Sequence, residues 1–238
     1  MPLTIVTGAS RGIGAAVAVR LAADGHDVIV GYRSDREAAD GVAERVVALG
    51  GRALAVRVDV TDDASLAGLV DAATGLGTVT GLVNNAGAAR AVGPLADNDL
   101  DDVRHDVGLN LTGTIACTKH VLAVMGRGAA VVNISSSAAT LGSPGTYVHY
   151  AAAKAGIDAF TVGLAAELGP REIRVNAVAP GTTWTEFHRD PDRPARVAEG
   201  VPLGRAGQPE EIAGAVAWLL SDDASYTTGA VLRVAGGL

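Results

Sequence analysis

Tyr150 and Lys154 stand four residues apart in Tyr150-Ala151-Ala152-Ala153-Lys154. On a helix that spacing puts a phenol and an ammonium on one face. A phenol titrates near pH ~10, and a neighbouring cation is expected to pull it down towards neutrality. Such a pair can give a proton to a carbonyl oxygen or, in the reverse direction, take one from an alcohol. Only two of the 19 basic residues are lysines, Lys119 and Lys154, and there are 4 tyrosines, so this spacing is uncommon by chance. Tyr147 is no substitute, because Ala151 lies four residues after it. The bland reading, the amphipathic start of a helix, predicts no further matching features.

A second stretch suits phosphate chemistry. Thr7-Gly8-Ala9-Ser10-Arg11-Gly12-Ile13-Gly14 joins an apolar run to a helical pattern. Its glycines allow a tight turn and close approach to a pyrophosphate, and the helix that follows offers unpaired N–H groups. The spacing is G-x-x-x-G-x-G, which departs from the G-x-G-x-x-G fingerprint. The next strand ends Tyr32-Arg33-Ser34-Asp35. An acid at that strand tip would hold a ribose 2′-hydroxyl, and an arginine would accept a 2′-phosphate. Arg33, with Ser34 beside it and Arg11 in the glycine loop, favours NADP(H). Asp35 keeps NAD(H) open.

Other polar groups recur where apolar strands end. They are Asn84-Asn85-Ala86-Gly87, Asn133-Ile134-Ser135-Ser136-Ser137, and Asn176 with Pro180-Gly181. Each alone reads as turn chemistry, but together they mark one edge of a sheet.

The elements that must carry these residues follow from the periodicity. Strands are predicted at Leu3–Val6, Val28–Tyr32, Leu54–Val58, Leu82–Asn84, Ala129–Ile134, Ile173–Val178 and Ala230–Val234. Helices are predicted at Gly12–Asp24, Arg36–Leu49, Asp62–Thr74, Asp97–Met125, Tyr150–Leu168 and Pro209–Leu220, with Asn110 inside the long fourth one. Apolar strands alternating with helices give an α/β, Rossmann-like, doubly wound parallel sheet of about seven strands, with helices on both faces. Residues 1–238 read as one dinucleotide-binding domain. The segment 181–207 breaks the rhythm, with charges at Arg189–Arg193 and prolines at 191, 194 and 202. It reads as a substrate lid.

Composition narrows the class. Apolar residues make up 48% of 238, which excludes disorder as the main reading. No apolar run reaches ~18 residues and the N-terminus lacks a basic leader, so neither membrane nor secretion is expected. One cysteine, Cys117, excludes a disulfide framework, and no histidine has metal-ligand spacing. The net charge of −7 disfavours nucleic acid as a partner. Cytoplasm is the expected compartment.

The chain resembles the short-chain dehydrogenase/reductase family in its single-domain branch. The resemblance rests on the TGASRGIG loop, Asp59, NNAG, Asn110, the serine-to-Tyr-x-x-x-Lys block, Pro180-Gly181 with Thr185, and Thr228-Gly229. It is similar to bacterial 3-oxoacyl-carrier-protein reductases and to sugar-dehydrogenase-like oxidoreductases. This implies a catalytic set of Asn110, Ser136, Tyr150 and Lys154, with Ser137 and then Ser135 as substitutes for Ser136. Tyr150 would be the general acid, and Lys154 would also bond the nicotinamide ribose. Ser136 would hold the substrate oxygen, and Asn110 a relay water. The implied cofactor contacts are Gly8, Ser10, Arg11, Gly12, Ile13, Gly14, Arg33, Ser34, Asp59, Val60, Asn85, Ala86, Gly87, Pro180, Gly181, Thr183 and Thr185, besides Tyr150 and Lys154. A homotetramer or homodimer is also implied.

The substrate is expected between Tyr150 and the lid, against Ser136, Tyr147, His149, Trp184 and Phe187, with His188 nearby. Arg189, Arg193 and Arg196 could attract an anion, but Asp190 and Asp192 suggest a solvated face. The favoured activity is NADP(H)-dependent reduction of a small ketone or 3-oxoacyl group. The alternatives are an NAD(P)-dependent alcohol or glucose-type sugar dehydrogenase and, more remotely, a non-catalytic dinucleotide-binding regulator.

Overall fold

The structure is a computed structural model that describes residues 1–187 and 190–238. Seven strands form one parallel sheet: β1 (Leu3–Val6), β2 (Asp27–Tyr32), β3 (Ala53–Arg57), β4 (Val79–Asn84), β5 (Ala130–Ile134), β6 (Arg174–Pro180) and β7 (Val231–Val234). Their order across the sheet is β3-β2-β1-β4-β5-β6-β7. The order reverses between β1 and β4, which opens a crevice at the C-terminal ends of those strands.

Helices α1 (Gly12–Ala23), α2 (Arg36–Ala48) and α9 (Pro209–Leu220) cover one face. Helices α3 (Asp63–Leu76), α5 (Gly113–Leu122) and α7 (Val148–Leu168) cover the other. Adjacent strand residues feed opposite cores. Ile5, Ile29 and Val131 pack into the α3–α5–α7 side, whereas Val6, Val30 and Val132 pack into the α1–α2–α9 side. Burial on both faces explains why these strands read as unbroken β-branched runs. Each fully buried Leu or Ile contributes about 1.5–3 kcal/mol.

The long helical region predicted over Asp97–Met125 is interrupted. It consists of α4 (Leu100–Val107), a π-helical turn over Gly108–Thr112, and α5. The physical reason lies in Asn110, whose side-chain amide donates to the Asp106 carbonyl at 2.8 Å, four residues back. A side chain competing for a helical carbonyl loosens the local winding. The sequence also gave no sign of two short helices, α6 (Ala138–Leu141) and α8 (Arg193–Ala198). α6 follows β5 directly, and α8 lies within the 181–207 segment.

Buried amides tie the strand ends together. Asn84 donates to Thr118 at 2.8 Å and to Asn133 at 2.9 Å, and Asn133 donates to Thr161 at 2.9 Å. This chain links β4 and β5 to α5 and α7, so Asn84 and Asn133 set the frame on which the site is built.

Candidate active site

A cavity of about 780 Å³ runs along the strand ends from the glycine loop to α8. The glycine loop forms one end. Gly8 has φ +63°, and a Cβ there would stand 2.9 Å from Ala86 Cα. A Cβ on Gly14 would stand 2.4 Å from the Gly8 carbonyl oxygen, so α1 can approach the loop only through glycine. Asn85 holds the loop from the neighbouring strand end, donating to the Thr7 and Gly8 carbonyls at 3.0 and 2.9 Å. Arg11 sits at the N-cap of α1 with no side-chain cap bond, and the first turn carries no acid. Gly12 and Ile13 line the cavity there.

Beyond the loop, Arg11, Arg33, Ser34 and Asp35 line the same cavity. The Asp35 carboxylate accepts from the Ala38 N–H at 3.0 Å, which commits it to capping α2. Arg33 is half-exposed and lies 3.4 Å from Asp59. Asp59 and Val60, implied as cofactor contacts, do not line the cavity. The Asp59 carboxylate accepts from the Thr61 N–H and hydroxyl, at 3.0 and 2.6 Å, and Val60 packs beside Gly113. The Thr61 bonds hold the Asp59 carboxyl below its ordinary range. Gly14 is likewise packed behind the loop, outside the lining. Ser10, Ala86, Gly87, Pro180, Gly181, Thr183 and Thr185 all line the cavity.

At the centre the Tyr150 phenol and Ser136 both line the cavity, and Ser136 draws the titration of the phenol downward. The neighbouring serines bond elsewhere. Ser135 Oγ donates to Asp158 at 2.5 Å, and Ser137 accepts through its carbonyl from Thr140 Oγ1 at 3.2 Å. Tyr150, Lys154 and Asp158 fall on one stripe of α7 at four-residue spacing. The Lys154 ammonium donates to the Ile134 carbonyl at 2.7 Å and lies 5.7 Å from the Tyr150 ring centre. Desolvation pushes the Lys154 amine down to about 8, against the opposing charge of Asp158. Burial raises the Asp158 carboxyl. Asp158 was missed in the sequence, although the same spacing rule that found Lys154 reaches it.

The direction expected for Tyr150 is corrected. Burial lifts its phenol above the ordinary range, and Ser136 opposes this only in part. Desolvation is the main cause and the neighbouring Tyr147 adds to it, while the Lys154 ammonium is turned to the Ile134 carbonyl.

Asn110 reaches the same place. Its amide donates to the Ala88 carbonyl at 2.6 Å, while its Oδ1 is buried and without a hydrogen bond among the described residues. A Cβ on Gly87 would lie 2.6 Å from that oxygen and 3.8 Å from Lys154 Nζ. Gly87 thus leaves a small polar gap between the two side chains.

The far end is aromatic. The Tyr147 and Tyr150 rings meet edge-on at 5.0 Å, and Phe187 lies 5.6 Å from Tyr150. Two expected substrate residues are placed elsewhere. His149 turns inward to Asp106, at 3.1 Å, because a buried carboxylate demands donors. Trp184 is exposed and outside the lining. His188 and Arg189 lie outside the described residues. The 181–207 segment is closed at its base, where Trp184 N–H donates to the Gly207 carbonyl at 3.0 Å and Gly207 N–H to that of Thr182 at 2.9 Å.

Comparison with known proteins accords with this arrangement. A family model described as enoyl-(acyl carrier protein) reductase matches residues 8–238. The chain is 40% identical over 240 residues to a 3-oxoacyl-[acyl-carrier-protein] reductase of Synechocystis, covering 99% of this chain and 96% of that one. It is 43% identical over 241 residues to a cis-4-hydroxycyclohexanecarboxylate dehydrogenase of Sinomonas cyclohexanicum, covering 99% and 95%. A Burkholderia cenocepacia short-chain dehydrogenase solved in complex with NADP superimposes with TM-score 0.93 at 36% identity, covering 99% and 97%. The chain belongs to the short-chain dehydrogenase/reductase family and is an oxidoreductase. Its cavity suits a nicotinamide dinucleotide on its own geometry. The glycine cradle, the acid-free start of α1 and two arginines suit a bridging pyrophosphate and the adenosine end. No helix of the described residues is long and apolar enough to cross a membrane, and they contain no cluster of three or more His, Cys, Asp or Glu suited to a metal ion.

Proposed function

We propose that the protein reduces a carbonyl, on a small ketone or a 3-oxoacyl group, to a secondary alcohol with NADP(H). The observation that carries this reading is the buried Tyr150 phenol, lining one cavity with Ser136 and the glycine loop, with Lys154 one helical turn away. The cofactor supplies or accepts the hydride. Tyr150 gives its proton to the carbonyl oxygen, and Ser136 donates a hydrogen bond to the same oxygen as charge builds on it. Lys154 holds a positive charge beside the phenol and reaches the nicotinamide ribose. The Asn110 oxygen opposite Lys154 supports a proton path running behind the lysine through the gap at Gly87. Arg11 and Arg33 support a 2′-phosphate, and the capping role of Asp35 argues against a ribose diol there.

The second reading is oxidation of an alcohol, favoured by the likeness to the Sinomonas dehydrogenase. It uses the same residues, with Tyr150 as base. The 181–207 segment acts as a lid over the substrate. Residues 1–238 form one domain in the cytoplasm. The exposed Ile115 and Val162, on α5 and α7, support association of copies into a dimer or tetramer.

The test is spectrophotometric. NADPH consumption is followed with ketones and 3-oxoacyl thioesters, and NADP+ reduction with secondary alcohols and aldoses. Turnover in the first panel at neutral pH supports the reductase reading. Turnover confined to the second favours the dehydrogenase, and none in either sinks both.

A further inference from the structure

Among the described residues lining the cavity, the charged side chains are Arg11, Arg33, Asp35, Lys154, Glu186 and Arg193. Five are accounted for at the glycine loop and the centre. Arg11, Arg33 and Asp35 surround the first strand crossover. Glu186 lies against the loop, 3.8 Å from where a Gly12 Cβ would stand. Lys154 is in the catalytic stripe. Arg193 alone occupies the aromatic end. Leu238 also lines the cavity, and its main-chain oxygen accepts from Arg233 at 2.9 Å.

The 181–207 segment divides its charges by helical face. Arg193 and Val197 are four apart on α8, and both face the cavity. Arg196 faces out and hydrogen-bonds Asp190, an exposed pair, and the Arg193 charge also acts on that carboxylate. The sequence suggested one solvated stripe, but the helix turns Arg193 inward. Its Nη2 donates to the Tyr147 hydroxyl at 3.1 Å, and its guanidinium stands 5.6 Å from the centre of the Tyr147 ring. Tyr147 is in turn 5.0 Å from Tyr150. Tyr147 therefore touches both the proton donor and a cation.

We propose that the substrate is a keto or hydroxy acid whose carboxylate, several bonds from the reacting carbon, is held by Arg193. The inference rests on the carbonyl–alcohol reading above and names its substrate class. The carbonyl sits at Tyr150 and Ser136. An apolar ring or short chain lies along Tyr147 and Phe187. The carboxylate meets the guanidinium, whose five N–H donors in a planar fork let it hold a tyrosine and a carboxylate at once.

The competing view makes Arg193 a clamp that only pins α8 to Tyr147. A clamp affects charged and uncharged substrates alike, so a paired measurement separates the two. The wild-type protein and Arg193→Met, which keeps the stem and loses the charge, are assayed with NADPH on 4-oxocyclohexanecarboxylate and on its methyl ester. The expected acid-to-ester ratio of kcat/KM is at least 10 in the wild type. It falls at least tenfold in the variant, chiefly through KM for the acid, and Arg193→Lys recovers part of it. A ratio near one in the wild type, or a ratio unchanged in Arg193→Met, overturns the proposal.

A binding arm keeps the parent reading separate. Cyclohexanecarboxylate and cyclohexanecarboxamide are titrated calorimetrically into wild type and Arg193→Met, each saturated with NADP+. Carboxylate binding lost with Arg193, without turnover of either ketone, supports the carboxylate site and overturns the reductase reading. Equal binding of acid and amide overturns the carboxylate site whatever the turnover.

Discussion

The His149 Nε2 lies 3.1 Å from the Asp106 carboxylate, and both side chains are buried, His149 next in sequence to Tyr150. Asp106 also accepts the backbone N–H groups of Arg90 and Ala91, at 2.8–3.0 Å. The His149 imidazole completes the ring of partners around that carboxylate. One carboxylate thus fastens α4, the loop after β4 and the start of α7.

Asp106→Asn puts an NH2 group among those donors. Breaking a buried charged hydrogen-bond set costs about 2–4 kcal/mol, which for a chain of this size lowers Tm by roughly 6–12 °C. Calorimetry checks it. An unchanged Tm would mean that Asp106 does not fasten these three elements.

Much of this frame was legible in the sequence, for reasons visible in particular residues. Val6, Val30 and Val132 sit in runs apolar on both sides, which only a covered parallel sheet requires, and the glycine loop announced the first turn. Tyr150 and Lys154 were legible because helical spacing fixes their common face. What escaped depended on contacts distant in sequence. His149 shares the substrate-side segment with Tyr147 and Tyr150, but Asp106, 43 residues earlier, draws it inward. The π-turn at Asn110 comes from a side chain bonding its own helix, which periodicity does not register. Ser136 was chosen over Ser137 and Ser135 on the resemblance, whereas α8 directing Arg193 inward needed the helix itself.

The Lys154 amine, depressed to about 8 by desolvation, gives a pH dependence. Below that value the side chain is charged and supports proton donation by Tyr150. As pH rises through it the charge is lost, and reduction slows. The expected kcat/KM for the ketone at saturating NADPH, which contains the proton-transfer step, falls tenfold per pH unit above pH about 8. A flat profile to pH 10 would contradict this placement of the lysine.

On the proposed reading Arg33 and Arg11 set the cofactor preference. Arg33→Ala or Arg11→Ala should weaken NADPH binding about tenfold, about 1.4 kcal/mol, while NADH binding changes less than threefold. Fluorescence titration with both cofactors decides it. Equal losses for the two would place the arginines on the shared pyrophosphate, and no loss would leave them as solvated charges.

The central claim is that Tyr150 delivers the proton to the substrate oxygen, and Tyr150→Phe tests it most directly. The ring and its packing against Tyr147 and Phe187 are kept, and only the hydroxyl is removed. Turnover of the best ketone and NADPH affinity are measured on the same preparation. The expected result is a fall in kcat of at least 10³-fold, about 4 kcal/mol, with the NADPH Kd within threefold of wild type. A variant that kept a tenth of the wild-type rate would show that the proton comes from another group.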